Sequence, residues 1–338
     1  MNLKRRTELL VKLGQHLLGE DEYLRAVMHR AEFHNAWFTR QSQELAIHSI
    51  ATAFLQREAL ESLAARYPIS DEPTGKTVGV VMAGNIPLVG FHDWLCVFLA
   101  GHRAQVKLSD KDAYLFPYLL KLMEKWEPEM QGWVETVERL KGFDMVIATG
   151  SNNSARYFEA YFGKVPHIIR RNRNGVAVLS GNETPEELRE LGKDVFTYFG
   201  LGCRNVAKLY VPEGYQFEPL LEALHEYREI VLHEKYKHNF DYNYALFILN
   251  KVPHKANGCI LLKEDDSLAS RIACLHYAFY KSKEAVEREL EERREEVQCV
   301  VAHPGYLSIP VLPFGDTQRP RLDDFADGVD TMEFLVKE

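Results

Sequence analysis

The stretch Thr77-Val78-Gly79-Val80-Val81-Met82-Ala83-Gly84-Asn85-Ile86-Pro87-Leu88 decides how the chain is read. Thr77 to Met82 is a short β-branched run that empties into a turn holding Gly84. A mostly apolar helix is predicted from Ile86 to Ala100, beginning near Pro87, whose fixed φ suits a first helical turn. Strand, tight loop and helix make one α/β unit, and the unit recurs. Gln105 to Leu108 reads as a second strand, Ala113 to Trp126 as a second helix, and Met145 to Ala148 as a third strand running into Thr149-Gly150-Ser151. Strands alternating with helices predict a parallel, doubly wound sheet.

Upstream of this core, apolar residues recur at helical spacing from Leu3 to about Tyr67, and Pro68 to Gly75 ends the pattern. Downstream, Val176 to Leu179 supplies another strand, and Ser180 to Pro185 is a polar break read as the boundary between domains. Glu186 to Phe199 reads as a helix, and Cys203 follows in a loop flanked by Gly200 and Gly202. Val206 to Val211 is then a strand, and Glu218 to Leu232 and Lys281 to Glu295 are helices, the last a solvated surface of mixed charge. The expected organisation is a helical region over 1–70, a first α/β domain over 71–183, a second over 184–310 and a return segment over 311–338.

At 338 residues the chain exceeds the size at which one core keeps growing, which agrees with two domains. Its net charge of -8 argues against broad binding to nucleic acid or anionic membrane, and leaves small-molecule chemistry as the leading class. The five cysteines, Cys96, Cys203, Cys259, Cys274 and Cys299, include no C-x-x-C pair, which points to a reducing compartment without a zinc site. His233 and His238 fall about 140° apart around a helix, so they do not share a metal-binding face. Lys12, Gln15 and Glu20 interrupt the first apolar stretch, so no signal-peptide core follows the basic start. No apolar run approaches the ~18 residues of a membrane span, and the cytoplasm is the expected location.

Four stretches can carry chemistry. Gly84 serves any strand-to-helix turn, but the Asn85 amide beside it can donate to a developing oxyanion. Lys107, Ser109 and Asp110 sit at the carboxyl end of a strand, where open α/β sheets bind ligands; Lys107 and Asp110 can hold ribose hydroxyls, or the stretch simply ends a strand. Thr149-Gly150-Ser151 precedes a helix whose first N–H groups can meet a phosphate, or it is a plain N-cap. Cys203 lies between backbone-permissive glycines and Arg204, where positive charge lowers a thiol below its usual value of about 8.5. The other cysteines read as packing residues. His276, next to Tyr277, is either a general acid or a packed histidine.

In chain order these stretches resemble the aldehyde dehydrogenase superfamily. Gly84-Asn85-Ile86-Pro87-Leu88 looks like its P-W-N-F-P turn, Ala100 to Asp110 like A-A-G-N-x-V-V-x-K-P-S-E, Ala148 to Ser151 like F-T-G-S, and Gly200 to Cys203 like G-Q-x-C. Leu312-Pro313-Phe314-Gly315 resembles its late P-F-G-G, so the likeness runs from Thr77 to the end. The N-terminal helices and the final Arg321-Leu322-Asp323-Asp324-Phe325-Ala326-Asp327-Gly328-Val329-Asp330-Thr331 look more like the acyl-CoA reductase branch, the LuxC-type fatty-acid reductases of bacterial luminescence.

The resemblance implies an aldehyde dehydrogenase-like fold with a dinucleotide-binding and a catalytic domain, NADPH or NADH as cofactor, and an acyl-CoA or other acyl thioester as substrate. It implies Cys203 as nucleophile and Asn85, with the Cys203 N–H, as oxyanion hole. Lys107, Ser109 and Asp110 would hold the adenosine ribose, and Gly150 and Ser151 would line the pyrophosphate path, with Ala83, Gly84 and Thr149 beside them. By analogy a homo-oligomer or an enzyme partner is expected. The chain departs from the family where its E-L-G-G-K-S-P should fall: Ile168 to Gly175 contains no Glu, so the base that activates water for thioester hydrolysis is missing and acyl transfer to a thiol is favoured. The family's E-I-F-G-P motif has no counterpart that can be placed. An NAD-dependent aldehyde dehydrogenase working oxidatively and a catalytically silent relative of the same fold are the competing readings.

Overall fold

A computed structural model describes residues 1–338. Four helices come first, α1 (Leu3–Leu17), α2 (Glu22–His34), α3 (Arg40–Ser49) and α4 (Arg57–Ala64). The chain then runs through β1 (Thr77–Val81), α5 (Phe91–Ala100), β2 (Arg103–Lys107), α6 (Leu115–Trp126), β3 (Val134–Thr136), β4 (Met145–Thr149), α7 (Asn152–Phe162) and β5 (His167–Arg170). It continues as β6 (Asn174–Val178), α8 (Pro185–Phe196), β7 (Val206–Pro212), α9 (Glu218–His225), α10 (Glu234–Leu249), β8 (Lys255–Ala256), β9 (Leu261–Glu264), β10 (Cys274–Tyr280), α11 (Lys283–Glu292) and β11 (Val297–Val301), and closes with α12 (Thr331–Lys337). No helix is long and apolar enough to cross a membrane.

Two compact units divide these elements: Met1–Asn172 with Pro320–Glu338, and Arg173–Arg319. The first holds a parallel sheet in the order β3-β2-β1-β4-β5, reached by helical crossovers as the alternating pattern predicts. Alternate strand residues feed two cores, because a parallel sheet is covered on both faces. Val78, Val80, Ala104, Val106, Met145 and Ile147 join a large cluster with Trp94, Phe98, Phe116 and the apolar faces of α1 and α4, while Val81, Val146 and Ala148 pack with Leu140 and Phe162. The N-terminal helices therefore share the core of this unit. Arg6, fully buried on α1, donates to the carbonyls of Met1, Ser70 and Leu99, the last an orphan acceptor at the end of α5.

The second unit holds the sheet β11-β6-β7-β10-β9-β8, parallel except for the short β8–β9 pair. Thr184 and Glu187 form a reciprocal capping box that fixes the start of α8 with Pro185 in its first turn. Val176, Val178, Tyr210 and Tyr280 pack on Val286 and Leu290 of α11.

Three sequence expectations differ. The chain crosses between the units at Asn172 and Arg173, whereas composition placed the boundary after 183; the apolar run at Val176 pairs with β7 and β11, and strand pairing is a long-range choice that local residues do not record. The first-unit helix begins at Phe91, because Leu88 takes left-handed backbone (φ 56°) and keeps residues after β1 in a loop. The sequence pattern marks neither the short, partly polar β3 and β5 nor β8, β9, β10 and β11 of the second sheet, which lack a usable alternation between turn signals.

Candidate active site

In the first unit, β1, β2 and β4 all end at one edge of the sheet, and their loops bring together Ala83, Gly84, Asn85, Lys107, Ser109, Asp110, Thr149, Gly150 and Ser151. The strand order reverses between β1 and β4, which is where open α/β sheets leave a ligand crevice. Two glycines are required here by close approach. A Cβ on Gly84 would lie 2.5 Å from Ser109 Oγ, and one on Gly150 would lie 2.8 Å from Phe158. Ser109 caps the short turn after β2 through the Lys111 amide, and Ser151 caps α7 through the Ser154 amide. Gly150 N–H donates to Arg170 O at 3.2 Å, fixing the loop after β4 against β5.

A cavity of about 530 Å³ opens beside the ends of β1 and β2, lined by Val81, Lys107, Arg139, Tyr157, Phe158 and Tyr161 among others. That volume is in the range of cofactor pockets. Lys107 Nζ donates to Glu138 O at 2.8 Å on its rim, and Tyr157 and Tyr161 are 77% and 63% exposed on α7. Aromatic faces opposite an ammonium suit a nucleobase and its ribose.

No local motif marks Asp112. Its buried Oδ2 accepts the Leu88 amide at 2.7 Å, tying the turn after β2 to the loop that carries Asn85, and Oδ1 has no hydrogen-bond partner. Burial pushes this carboxyl up to about 6, the Leu88 bond offsetting it in part. The N-terminal helices hold the same turn: His34 Nε2 bonds to Asp110 O at 2.8 Å and Asn35 Nδ2 donates to Lys111 O at 3.2 Å.

In the second unit, Cys203 and Arg204 form the corner of a turn closed by Asn205 N–H donating to Gly202 O at 3.0 Å. Gly202 N–H in turn donates to Asn205 Oδ1 at 2.8 Å. Just upstream, Tyr198 (φ 53°), Phe199 (φ 60°) and Gly200 (φ 74°) hold consecutive left-handed backbone. Such backbone costs roughly 1–2 kcal/mol for each residue bearing a Cβ. Tyr198 is buried, and the Phe199 ring lies 4.3 Å from the His233 ring, whose Nδ1 caps α10, so packing sustains the strain. His233 thus has a structural task.

The cysteines fall into two groups. Cys96, Cys259 and Cys274 are buried, and burial pushes Cys259 up to about 11 and Cys274 up to about 12. Cys299 lies on β11 with its Sγ donating to Arg204 O at 3.6 Å, and burial pushes it up to about 12. Cys203 is half-buried, at the corner of its turn.

His276 lies inside β10, 8% exposed, with Nδ1 bonded to Ser267 O at 2.9 Å. Burial holds its pKa below the ordinary value, and in the sheet register it stands between Lys208 of β7 and Lys263 of β9. This is the packed histidine of the two readings, and a buried ring so engaged is a poor general acid. Lys208 itself is fully buried, donating to Asp265 O at 2.9 Å, another polar group no local motif announced. Asp194, buried on α8, accepts the amides of Gly315 and Thr317 at 2.7 and 3.0 Å, which anchors the Leu312-Pro313-Phe314-Gly315 segment to the helix before Cys203.

No family sequence model matches the chain, and no curated protein matches it in sequence. Solved structures match it in fold. The NAD-dependent aldehyde dehydrogenase of Sinorhizobium meliloti aligns with a TM-score of 0.67 at 14% identity, over 91% of this chain and 71% of that one. An aldehyde dehydrogenase of Bacillus cereus, solved as its NAD+ complex, aligns with a TM-score of 0.64 at 15% identity, over 89% and 71%. Aldehyde dehydrogenase 21 of Physcomitrella patens, solved with the reaction product succinate, aligns with a TM-score of 0.70 at 13% identity, over 100% and 84%. The chain has the aldehyde dehydrogenase fold.

Proposed function

We propose that the protein is a nicotinamide-dependent oxidoreductase of the aldehyde dehydrogenase type, and within that class a reductase of acyl-CoA thioesters. The observation that carries the reading is the contrast among the cysteines. Cys203 is presented, half-buried, at the corner of a held turn, while Cys96, Cys259 and Cys274 are buried and Cys299, half-buried on β11, donates its Sγ to Arg204 O.

The residues at the edge of the first sheet fit a dinucleotide. The cavity beside Lys107, Tyr157, Phe158 and Tyr161 has room for adenine and its ribose, and the start of α7 after Gly150 and Ser151 offers N–H groups to a pyrophosphate. When bound, the reduced nicotinamide supplies a hydride to an acyl carbon. The NAD+ complexes among aldehyde dehydrogenases of this fold support NADH as that carrier.

Cys203 attacks the thioester carbonyl; a carbon–sulfur bond forms, the Asn85 amide stabilises the oxyanion, and CoA departs as thiolate, leaving the acyl group on Cys203. At the aldehyde level, collapse of the thiohemiacetal breaks the bond to Cys203 and returns the thiol. One observation favours reduction over oxidation: Ile168 to Gly175, where the resemblance would put the water-activating carboxylate, holds no Glu. The deciding experiment is intact-mass detection of an acyl-enzyme across acyl-CoA chain lengths, with and without reduced cofactor. An adduct on Cys203 that is consumed on adding NADPH or NADH supports the reading. Turnover of aldehyde with NAD+ and no CoA, without any adduct from acyl-CoA, would instead establish the oxidative reading.

A further inference from the structure

The side chain of Asn205 spans the strained segment that leads to Cys203. Upstream of Tyr198, Phe199 and Gly200, its Nδ2 donates to Thr197 O at 2.9 Å and to Asp194 O at 2.8 Å. Downstream of them, its Oδ1 accepts Gly202 N–H at 2.8 Å. One planar amide, with two donor hydrogens and an acceptor fixed relative to each other, thus closes both ends of the left-handed stretch. The residue is 3% exposed, so these bonds do not compete with water.

Gly202 and Asn205 are joined twice, by this side-chain bond and by Asn205 N–H to Gly202 O at 3.0 Å, with only Cys203 and Arg204 between them. The clamp also explains the glycine. A Cβ on residue 202 would stand 2.9 Å from Asn205 Oδ1 and push the amide aside.

We infer that Asn205 is a positioning residue for Cys203, holding the backbone from which the thiol is presented; the inference rests on the reading of Cys203 as nucleophile. Asn205 does not touch the reacting carbon. It fixes where the sulfur stands relative to its own turn, and a displacement of about 1 Å at a reacting atom costs on the order of 100-fold in rate.

The test compares the full-length protein with Asn205→Ala, which deletes the clamp, and Gly202→Ala, which dislodges it while leaving Asn205 in place. Two readouts are taken on folded protein at matched thermal denaturation. The first is kcat and KM with an acyl-CoA and reduced cofactor; the second is the pH profile of Cys203 alkylation by iodoacetamide, which needs no substrate. We expect both variants to lose about 10- to 100-fold in kcat with KM held within about threefold, and the alkylation profile to shift or slow by about fivefold or more. A purely structural role would lower the melting temperature and leave both readouts of the folded fraction unchanged, and that result overturns the inference. If Asn205→Ala does not fold, Gly202→Ala decides alone. If the wild type forms no acyl-enzyme yet the variants alter alkylation, the functional reading fails and the positioning role stands. If the acyl-enzyme forms and both variants match the wild type, the positioning role fails and the functional reading stands.

Discussion

Asp112 and Leu88 are joined by a buried hydrogen bond of 2.7 Å, and it holds Leu88 in left-handed backbone directly after the loop that presents Asn85. Burial lifts this carboxyl from its ordinary 3.8 to about 6, so the folded chain keeps a proton that the unfolded chain releases. Its stabilising contribution is complete below pH 4 and is lost as pH rises through 6. Asp112→Asn keeps an acceptor for Leu88 and removes the titration. Its stability relative to wild type should therefore rise between pH 4 and 8 by ~3 kcal/mol, measured by denaturant melts across that range. A difference that stays flat with pH would falsify the assignment of a raised, buried acid.

Asn85→Ala should leave the fold intact and slow turnover by about two decades or more, the usual cost of removing one oxyanion donor. Circular dichroism and steady-state rates check it; near-normal turnover rejects the role.

Brief treatment of the native protein with iodoacetamide at neutral pH should modify Cys203 ahead of Cys96, Cys259, Cys274 and Cys299, whose thiols are buried or pushed up. Peptide mapping reads the site. Faster labelling at any of the other four would remove the contrast on which the nucleophile rests.

Tyr157→Ala should weaken binding of the dinucleotide by roughly tenfold, since stacking of a base on an aromatic ring is worth ~1–3 kcal/mol. Fluorescence titration of NADH and NADPH measures it. Unchanged affinity in both Tyr157→Ala and Tyr161→Ala would place the base elsewhere.

Arg170→Leu should destabilise the protein by ~3–5 kcal/mol, because it leaves Asp93 as an uncompensated buried charge. The pair is bidentate, at 2.9 and 3.3 Å, and nearly inaccessible to solvent. A double variant that also replaces Asp93 with Asn should recover part of the loss.

Alternating apolar runs with glycine turns sufficed to read a parallel doubly wound architecture from Thr77 onward, because each strand–turn–helix unit is written in contiguous residues. The placement of the loop residues from Asn85 to Ser151 at the carboxyl edge of the first sheet follows the same way, since a strand's end fixes where its next residues lie. Strand partners are a different matter. Asn174–Val178 looks the same locally whichever sheet it joins, and only its pairing with β7 and β11 placed it in the second unit. The residues that hold the site lay beyond local reading as well. Asp112 meets Leu88, Asp194 meets Gly315, and Asn205 closes both ends of a left-handed segment, through bonds between positions whose types are unremarkable in isolation. Periodicity records which face of an element is apolar; it carries no record of which polar group will be buried opposite which, and that is settled when the elements pack.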